Sequence, residues 1–365
     1  MQPNSTQLLV CLTISSALMT HNRACADEPV SNLKRDEVVE FFPTYSPFHP
    51  AAAEQTLTIH GWVYEPATNS TTARLFWSAL GLDAQQAKNR VFQERANRFL
   101  VDSERGKRIV VAIGGKNRTL ALSEANGHTQ TTFQIPTGGE PPGSSRRPPP
   151  TTFDYHAILP PGDTRKFAGR VHFIPPTGVS VVSDIDDTIK ISEVRDKQAL
   201  LNNTFFKEFE PVPGMAKIYQ QWAKEGAAFH YVSGSPWQLF APLEAFREKS
   251  GFPAGSYHMR NFRFKDSSAW SLFTSPTDYK PRAIEPILKA FPKRRFIFVG
   301  DSGEKDPEVY GGVARRFPDQ IAKIFIRDVT GEAADAPRYA EAFQDVPRDR
   351  WQIFRHAGEI AAFRP

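Results

Sequence analysis

Gly178-Val179-Ser180-Val181-Val182-Ser183-Asp184-Ile185-Asp186-Asp187-Thr188 is the stretch on which the fold turns. Its first six residues are small or apolar, the texture of a strand buried on both faces, as in a parallel sheet. Directly beyond them stand two carboxylates at alternate positions, then a hydroxyl. Ligands bind outside the C-terminal strand ends of a doubly wound sheet, so acids placed there are candidates for chemistry. Taken alone, the run also reads as a solvated acidic turn.

Working outward from this run, the chain after Gly178 alternates strands with helices, the signature of a parallel α/β sheet. Strands are expected at Val179–Ser183, Ala227–Val232, Arg295–Val299 and Lys323–Ile326. Helices fit Met215–Lys224 closed by Gly226, Trp237–Lys249 closed by Gly251, and Arg282–Ala290. Before Gly178 the texture differs. Thr56–Tyr64, Lys107–Ile113, Leu120–Ser123, Thr131–Ile135, Thr152–Leu159 and Phe167–Phe173 are short, β-rich and bounded by turn residues, with Asn126-Gly127 as a hairpin signal. With one helix near Val91–Leu100, this predicts a sandwich-like, β-rich N-terminal domain over 27–176. A Rossmann-like domain is expected over 177–365. The Pro-rich tract 138–150 reads as a long loop within the first domain, because strands resume after it.

Three of the expected parallel strands run into a polar residue: Asp184, Ser233 and Asp301. Phosphoryl transfer to a carboxylate needs an ionised nucleophile, a cation, an acid for the leaving oxygen and donors for the equatorial oxygens. Asp184 is ionised at neutral pH by its ordinary value, and Asp186 could move protons if crowding by other carboxylates and phosphate raises its pKa. Ser233 and Gly234 precede Ser235-Pro236, which reads as an N-cap followed by the first helical residue. Lys280, before Pro281, offers one positive charge. Asp301 and Asp306 in Gly300-Asp301-Ser302-Gly303-Glu304-Lys305-Asp306 supply hard oxygen ligands suited to magnesium. Each of these also has an ordinary reading, as a strand-to-helix turn, a solvated lysine or a surface turn.

In this order the four elements resemble the haloacid dehalogenase-type phosphatases. Within that superfamily they are most similar to the actin-patch-type phosphatidate phosphatases, a magnesium-dependent family related in its catalytic half to the lipins. The residues that carry the resemblance are Asp184-Ile185-Asp186-Asp187-Thr188-Ile189-Lys190, Tyr231-Val232-Ser233-Gly234-Ser235-Pro236-Trp237, Tyr279-Lys280-Pro281 and Gly300 to Asp306. It spans about residues 178–330. The resemblance implies Asp184 as nucleophile and Asp186 as general acid/base, with Thr188 supporting the loop. It implies Ser233, Gly234 and Lys280 as phosphate binders. Magnesium would be held by Asp184, Asp186 through its backbone carbonyl, Asp301 and the more distant Asp306. The expected activity is magnesium-dependent hydrolysis of phosphatidate or a related lipid phosphate through an aspartyl phosphate. Hydrolysis of another phosphomonoester, and lipid binding without turnover, are the alternatives.

Composition sets the surroundings of this chemistry. The 365 residues are 40% hydrophobic and 23% charged, ordinary for a globular protein, and long enough for two domains. A net charge of +5 and a pI near 9.1 suit an anionic substrate or lipid surface and are too small to argue for nucleic acid. Leu8–Met19 followed by Ala24-Cys25-Ala26 reads as a signal peptide over 1–26, implying export to a periplasm or the exterior. Arg23 spoils a lipid-anchor pattern at Cys25, and an uncleaved tether is the other alternative. Both cysteines, Cys11 and Cys25, lie in this segment, so its removal would leave no thiol for a disulfide, Cys-ligated zinc or a Cys nucleophile. The gaps from Thr188 to Ser233 and from Ser233 to Lys280 leave no room for a large cap domain. Met259-Arg260-Asn261-Phe262-Arg263-Phe264-Lys265 with Trp270, Leu272 and Phe273 mixes cations with aromatics, as a membrane-facing segment would. The same mixture also fits core aromatics with solvated cations, and no obligate protein partner is implied.

Overall fold

The computed structural model describes residues 29–66, 78, 80–83, 85–136, 151–262 and 278–365. The signal segment 1–26, the Pro-rich tract 138–150 and the residues from Arg263 to Phe273 lie outside the described residues. Among the described residues no helix is long and apolar enough to cross a membrane.

The N-terminal half forms two sheets. One joins β1 (Val38–Phe42), β3 (Glu54–Glu65), β4 (Asp102–Ser103) and β7 (His128–Pro136), all antiparallel. The other runs β2 (Thr44–Pro47), β9 (Ala168–Ile174), β8 (Thr152–Ala157), β5 (Val110–Ile113) and β6 (Lys116–Thr119). Alternation along β3 turns Leu57, Ile59 and Val63 toward Val111, Tyr155 and Val171 of the second sheet, which makes the sandwich core. The opposite face of β3 is not solvated where Trp62 and Tyr64 stand. Both join Phe42 in a cluster that runs on into the C-terminal half, where the Phe42 ring lies 4.1 Å from Trp237. Each such aromatic contributes roughly 1.5–3 kcal/mol through burial. Helix α1 (Arg90–Asn97) of this half is capped by Asn89, whose side chain accepts the Phe92 N–H.

Leu120–Ser123 is not a strand. Its backbone makes single bonds to Ile109 and Lys107 in place of a ladder, and Thr129 and Thr131 side chains bond to Ala121, so the Asn126-Gly127 turn joins β7 to an irregular segment.

The C-terminal half holds β10 (Thr177–Ser183), β11 (Ala228–Pro236), β12 (Ser256–Arg260), β13 (Lys293–Asp301), β14 (Ile321–Arg327) and β15 (Trp351–Phe354). They form one parallel sheet in the order β12-β11-β10-β13-β14-β15. The chain steps outward from β10 to β12, then returns to β13 on the other side, so the topological switch lies between β10 and β13. Val181 faces one core and Val182 the other, which explains why this strand reads as a continuous apolar run. One face is covered by α2 (Lys197–Phe205), α3 (Met215–Lys224) and α4 (Phe240–Ser250), with Met215, Ile218, Tyr219 and Trp222 of α3 at helical spacing. The other is covered by α5 (Tyr279–Ala290), α6 (Asp306–Arg316) and α7 (Pro337–Ala342). Two helices begin elsewhere than the sequence suggests. Lys280 lies inside the first turn of α5, and the segment after Pro236 starts as a short 3-10 turn, Trp237–Leu239.

Candidate active site

Asp184 and Asp301 stand at the ends of the two central strands, on either side of the switch. The Asp184 N–H donates to the Val299 carbonyl at 2.9 Å, so β13 carries the pairing one residue past β10. Its side chain is fully buried. Lys280 Nζ lies 3.0 Å from Oδ1, and the Thr188 hydroxyl donates to Oδ2 at 3.2 Å. Asp301 Oδ1 accepts the N–H groups of Gly303 at 2.6 Å and Glu304 at 3.2 Å, whereas its Oδ2 is buried without a hydrogen-bond partner among the described residues.

Asp306 opens α6 and accepts the Asp301 N–H on Oδ2 at 3.2 Å. Its approach depends on Gly300, because a Cβ there would stand 2.3 Å from Asp306 Oδ2. Lys280 sits among three carboxylates, bonded to Asp306 and at 3.0 Å from both Asp184 and Glu304. Burial, followed by the neighbouring acids, pushes Asp184 and Asp301 well above the usual carboxylate range, with Lys280 opposing it. Burial would lower the Lys280 ammonium, but Asp184, Asp306 and Glu304 hold it well above its ordinary value.

Carboxylate oxygens of Asp184, Asp301 and Asp306 lie within 4.8 Å of one another and could hold a metal ion. The unpartnered Asp301 Oδ2 is the observation that fits one, since a buried acceptor left unpaired costs roughly 1–3 kcal/mol or more when charged. An all-oxygen donor set suits a hard divalent cation. Asp306 is committed to Lys280 and to the Asp301 backbone, so it shapes this cradle more than it opens toward an ion.

Asp186 does not behave as crowding by acids would suggest. Burial raises its pKa, but Lys190 Nζ at 2.7 Å from Oδ1 and hydroxyl donors outweigh that and bring it down to about 2. Ser192 donates to Oδ1 at 2.7 Å, while Ser235 at 2.9 Å and Ser233 at 3.3 Å donate to Oδ2. The expected rise is therefore reversed in the ligand-free site, because the cation four residues downstream is nearer than any acid. Ser235 is likewise not a helix cap. Its hydroxyl is spent on Asp186 and its N–H donates to Ser233 Oγ at 3.0 Å, while Leu239 precedes the α-helix without a side-chain cap. The Gly234 carbonyl accepts Arg260 Nε at 3.0 Å, and Met259 and Phe262 are buried, so the described part of that mixed segment is packed against the site.

Sequence reasoning missed the residues that hold the loop together. Asp187 has a left-handed backbone, φ 53°, which Asp tolerates better than most residues. Its carboxylate accepts the N–H groups of Ser192, Glu193 and Val194 at 2.8, 2.9 and 2.7 Å. This clamp sets Lys190 and Ser192 against Asp186. The signal available was local, a third Asp in the run and a lysine four residues after Asp186. Beyond Lys280 a cleft of about 380 Å³ opens, lined by Arg195, Lys305 and Arg338 together with Glu304 and Glu332, and Arg338 is paired with Glu308 and Glu332.

A doubly wound sheet with acids gathered at its switch point, a buried lysine between them and hydroxyls from the adjacent strand resembles the haloacid dehalogenase-like arrangement. Residues 179–328 match the family model described as Phosphatidate phosphatase APP1, catalytic domain. Phosphatidate phosphatase APP1 of Saccharomyces cerevisiae is 35% identical over 174 residues, 47% of this chain and 29% of that protein. An uncharacterized protein of Schizosaccharomyces pombe is 27% identical over 172 residues, 46% of this chain and 28% of its own. The chain thus spans less than a third of the length of these curated relatives. Among solved structures, an apo phosphoserine phosphatase superposes with a TM-score of 0.32 at 13% identity, covering 51% of this chain and 98% of that one. At so low a score the likeness says nothing further about the site.

Proposed function

We propose that the protein is a magnesium-dependent phosphatidate phosphatase that works through an aspartyl phosphate on Asp184. The observation that carries this is the pairing of two differently treated carboxylates two residues apart. Asp184 is clamped between Lys280 and Thr188, and Asp186 is ringed by Lys190 and serine hydroxyls. Asp184 attacks phosphorus, and Lys280 and Ser233 offset the charge of the transferring group. A divalent cation held by Asp184, Asp301 and the Asp186 carbonyl would favour the ionised form of Asp184 and neutralise phosphate charge. Asp186 must gain a proton before it can serve the leaving alcohol. A phosphate dianion that recruits Ser233 and stands beside Asp186 moves its pKa upward, toward that form. Once the alcohol has left, the same carboxylate takes the proton of the attacking water.

Lipid as substrate is supported by the printed description of the matching family. The protein would act from the bilayer surface, and export through residues 1–26 is a separate proposal, tested by the N-terminus of the mature chain. The deciding assay is phosphate release from phosphatidate liposomes with and without magnesium, against soluble phosphomonoesters. Release from phosphatidate that EDTA abolishes is expected. Preference for a soluble ester would move the substrate elsewhere, and liposome binding without release from any ester would leave a lipid-binding module.

A further inference from the structure

Between the two halves of the chain, beside Asp186, lies a narrow slot that neither the motifs nor the family match assigns. Its polar end is Asp186, Ser235 and Glu304, and its volume is about 40 Å³. Apart from Thr204 and Gly234 the rest is apolar and comes from separate elements: Phe99 follows α1, Leu200 and Phe205 belong to α2, and Leu239 precedes α4. Phe99 is 6% exposed and its ring lies 5.5 Å from Phe205.

Phe99 is held there by the residues just before it. Arg95 donates to the carbonyls of Thr204 and Lys207 at 2.6 and 2.8 Å, which ties α1 to the end of α2. Arg98 Nε donates to the Gln238 carbonyl at 2.6 Å, and its other arm pairs with Glu40 of β1. The N-terminal half therefore pins one wall of the slot to both other walls, as a fixed cap made by a neighbouring domain.

We infer that Phe99, with Leu200, Phe205 and Leu239, is the specificity surface for the leaving alcohol, selecting phosphomonoesters whose first carbons are apolar. This rests on the phosphatase reading of the site. The group that exchanges a proton with the leaving oxygen is Asp186, so the carbons bonded to that oxygen must pass along the slot that Asp186 closes. The slot is small, so it takes only the first carbons of the alcohol. The slot thus grips the start of the alcohol and leaves any acyl chain outside.

The test is kcat/KM over a series of n-alkyl phosphates from methyl to hexyl. Each methylene that enters the slot raises kcat/KM by about fourfold, from about 0.8 kcal/mol per buried group, and the rise stops after the first one or two. In Phe99→Ala the ratio of butyl to methyl turnover falls to near one, and Phe99→Leu restores most of it. A wild-type series that is flat, or that climbs steadily to hexyl, overturns the inference even where Phe99→Ala fails to fold. A Phe99→Ala enzyme that keeps the wild-type ratio also overturns it. Failure of the phosphatase reading looks different, because then no ester in the series is hydrolysed.

Discussion

Asp186→Asn removes one charge while keeping the outline of the side chain, and its cost depends on pH in a direction the geometry dictates. Burial raises this carboxyl, yet Lys190, Ser192 and Ser235 carry it from 3.8 down to about 2. A folded pKa below the unfolded one gives stability that is full above the unfolded value and lost as pH falls through the folded value. The shift is worth roughly 2–3 kcal/mol near pH 6 and about half of that near pH 3. The asparagine also leaves Lys190 buried without a counter-charge, so the variant starts about 3–5 kcal/mol less stable at neutral pH. Urea unfolding of both proteins in EDTA, from pH 6 down to about pH 3, reads the difference. The gap narrows by about 1 kcal/mol on acidification. A gap that stays constant or widens refutes the ion-paired state of Asp186.

Asp187→Ala frees three backbone N–H groups of the 192–194 loop and costs roughly 3 kcal/mol or more, read as a lowered thermal midpoint with loss of turnover. Magnesium at about a hundred times its Kd raises stability by about 2.7 kcal/mol, and Asp301→Ala abolishes that shift; an undiminished shift in the variant contradicts the proposed cradle. Because the buried cluster runs from Phe42 and Trp62 through Trp237 into the parallel sheet, both halves unfold in one urea transition, and Phe42→Ala lowers its stability by about 3–5 kcal/mol. Two separated transitions in the wild type contradict the shared core.

The doubly wound half was readable because its cues are local. Val181 and Val182 are buried on opposite faces, and the helix Met215–Lys224 is spaced for one face, so both patterns survive in one dimension. The strands β12 and β15 and the helices α2, α6 and α7 were not expected. Leu120–Ser123 has strand composition, but side chains of Thr129 and Thr131 take up the Ala121 backbone groups that a ladder would use. At the site, Asp184, Ser233 and Asp301 were named because strand ends select them, and Lys280 because it offers a positive charge just before Pro281. What stayed hidden was the charge state of Asp186. It is decided by Lys190 and Ser192, which reach it only because Asp187 bends the loop back, and by Ser235, whose sequence context looks like a helix cap. The role of Phe99 was hidden for a different reason, since it comes from chain contacts across more than a hundred residues.

The most direct measurement is covalent trapping. The wild-type protein is mixed with phosphatidate and magnesium, quenched in acid during turnover, digested and analysed by mass spectrometry for a phosphoryl group. The account predicts an acyl phosphate on the peptide that contains Asp184, absent from Asp184→Ala, which also releases no phosphate. Turnover that survives in Asp184→Ala, or a phosphoryl group on any other residue, contradicts it.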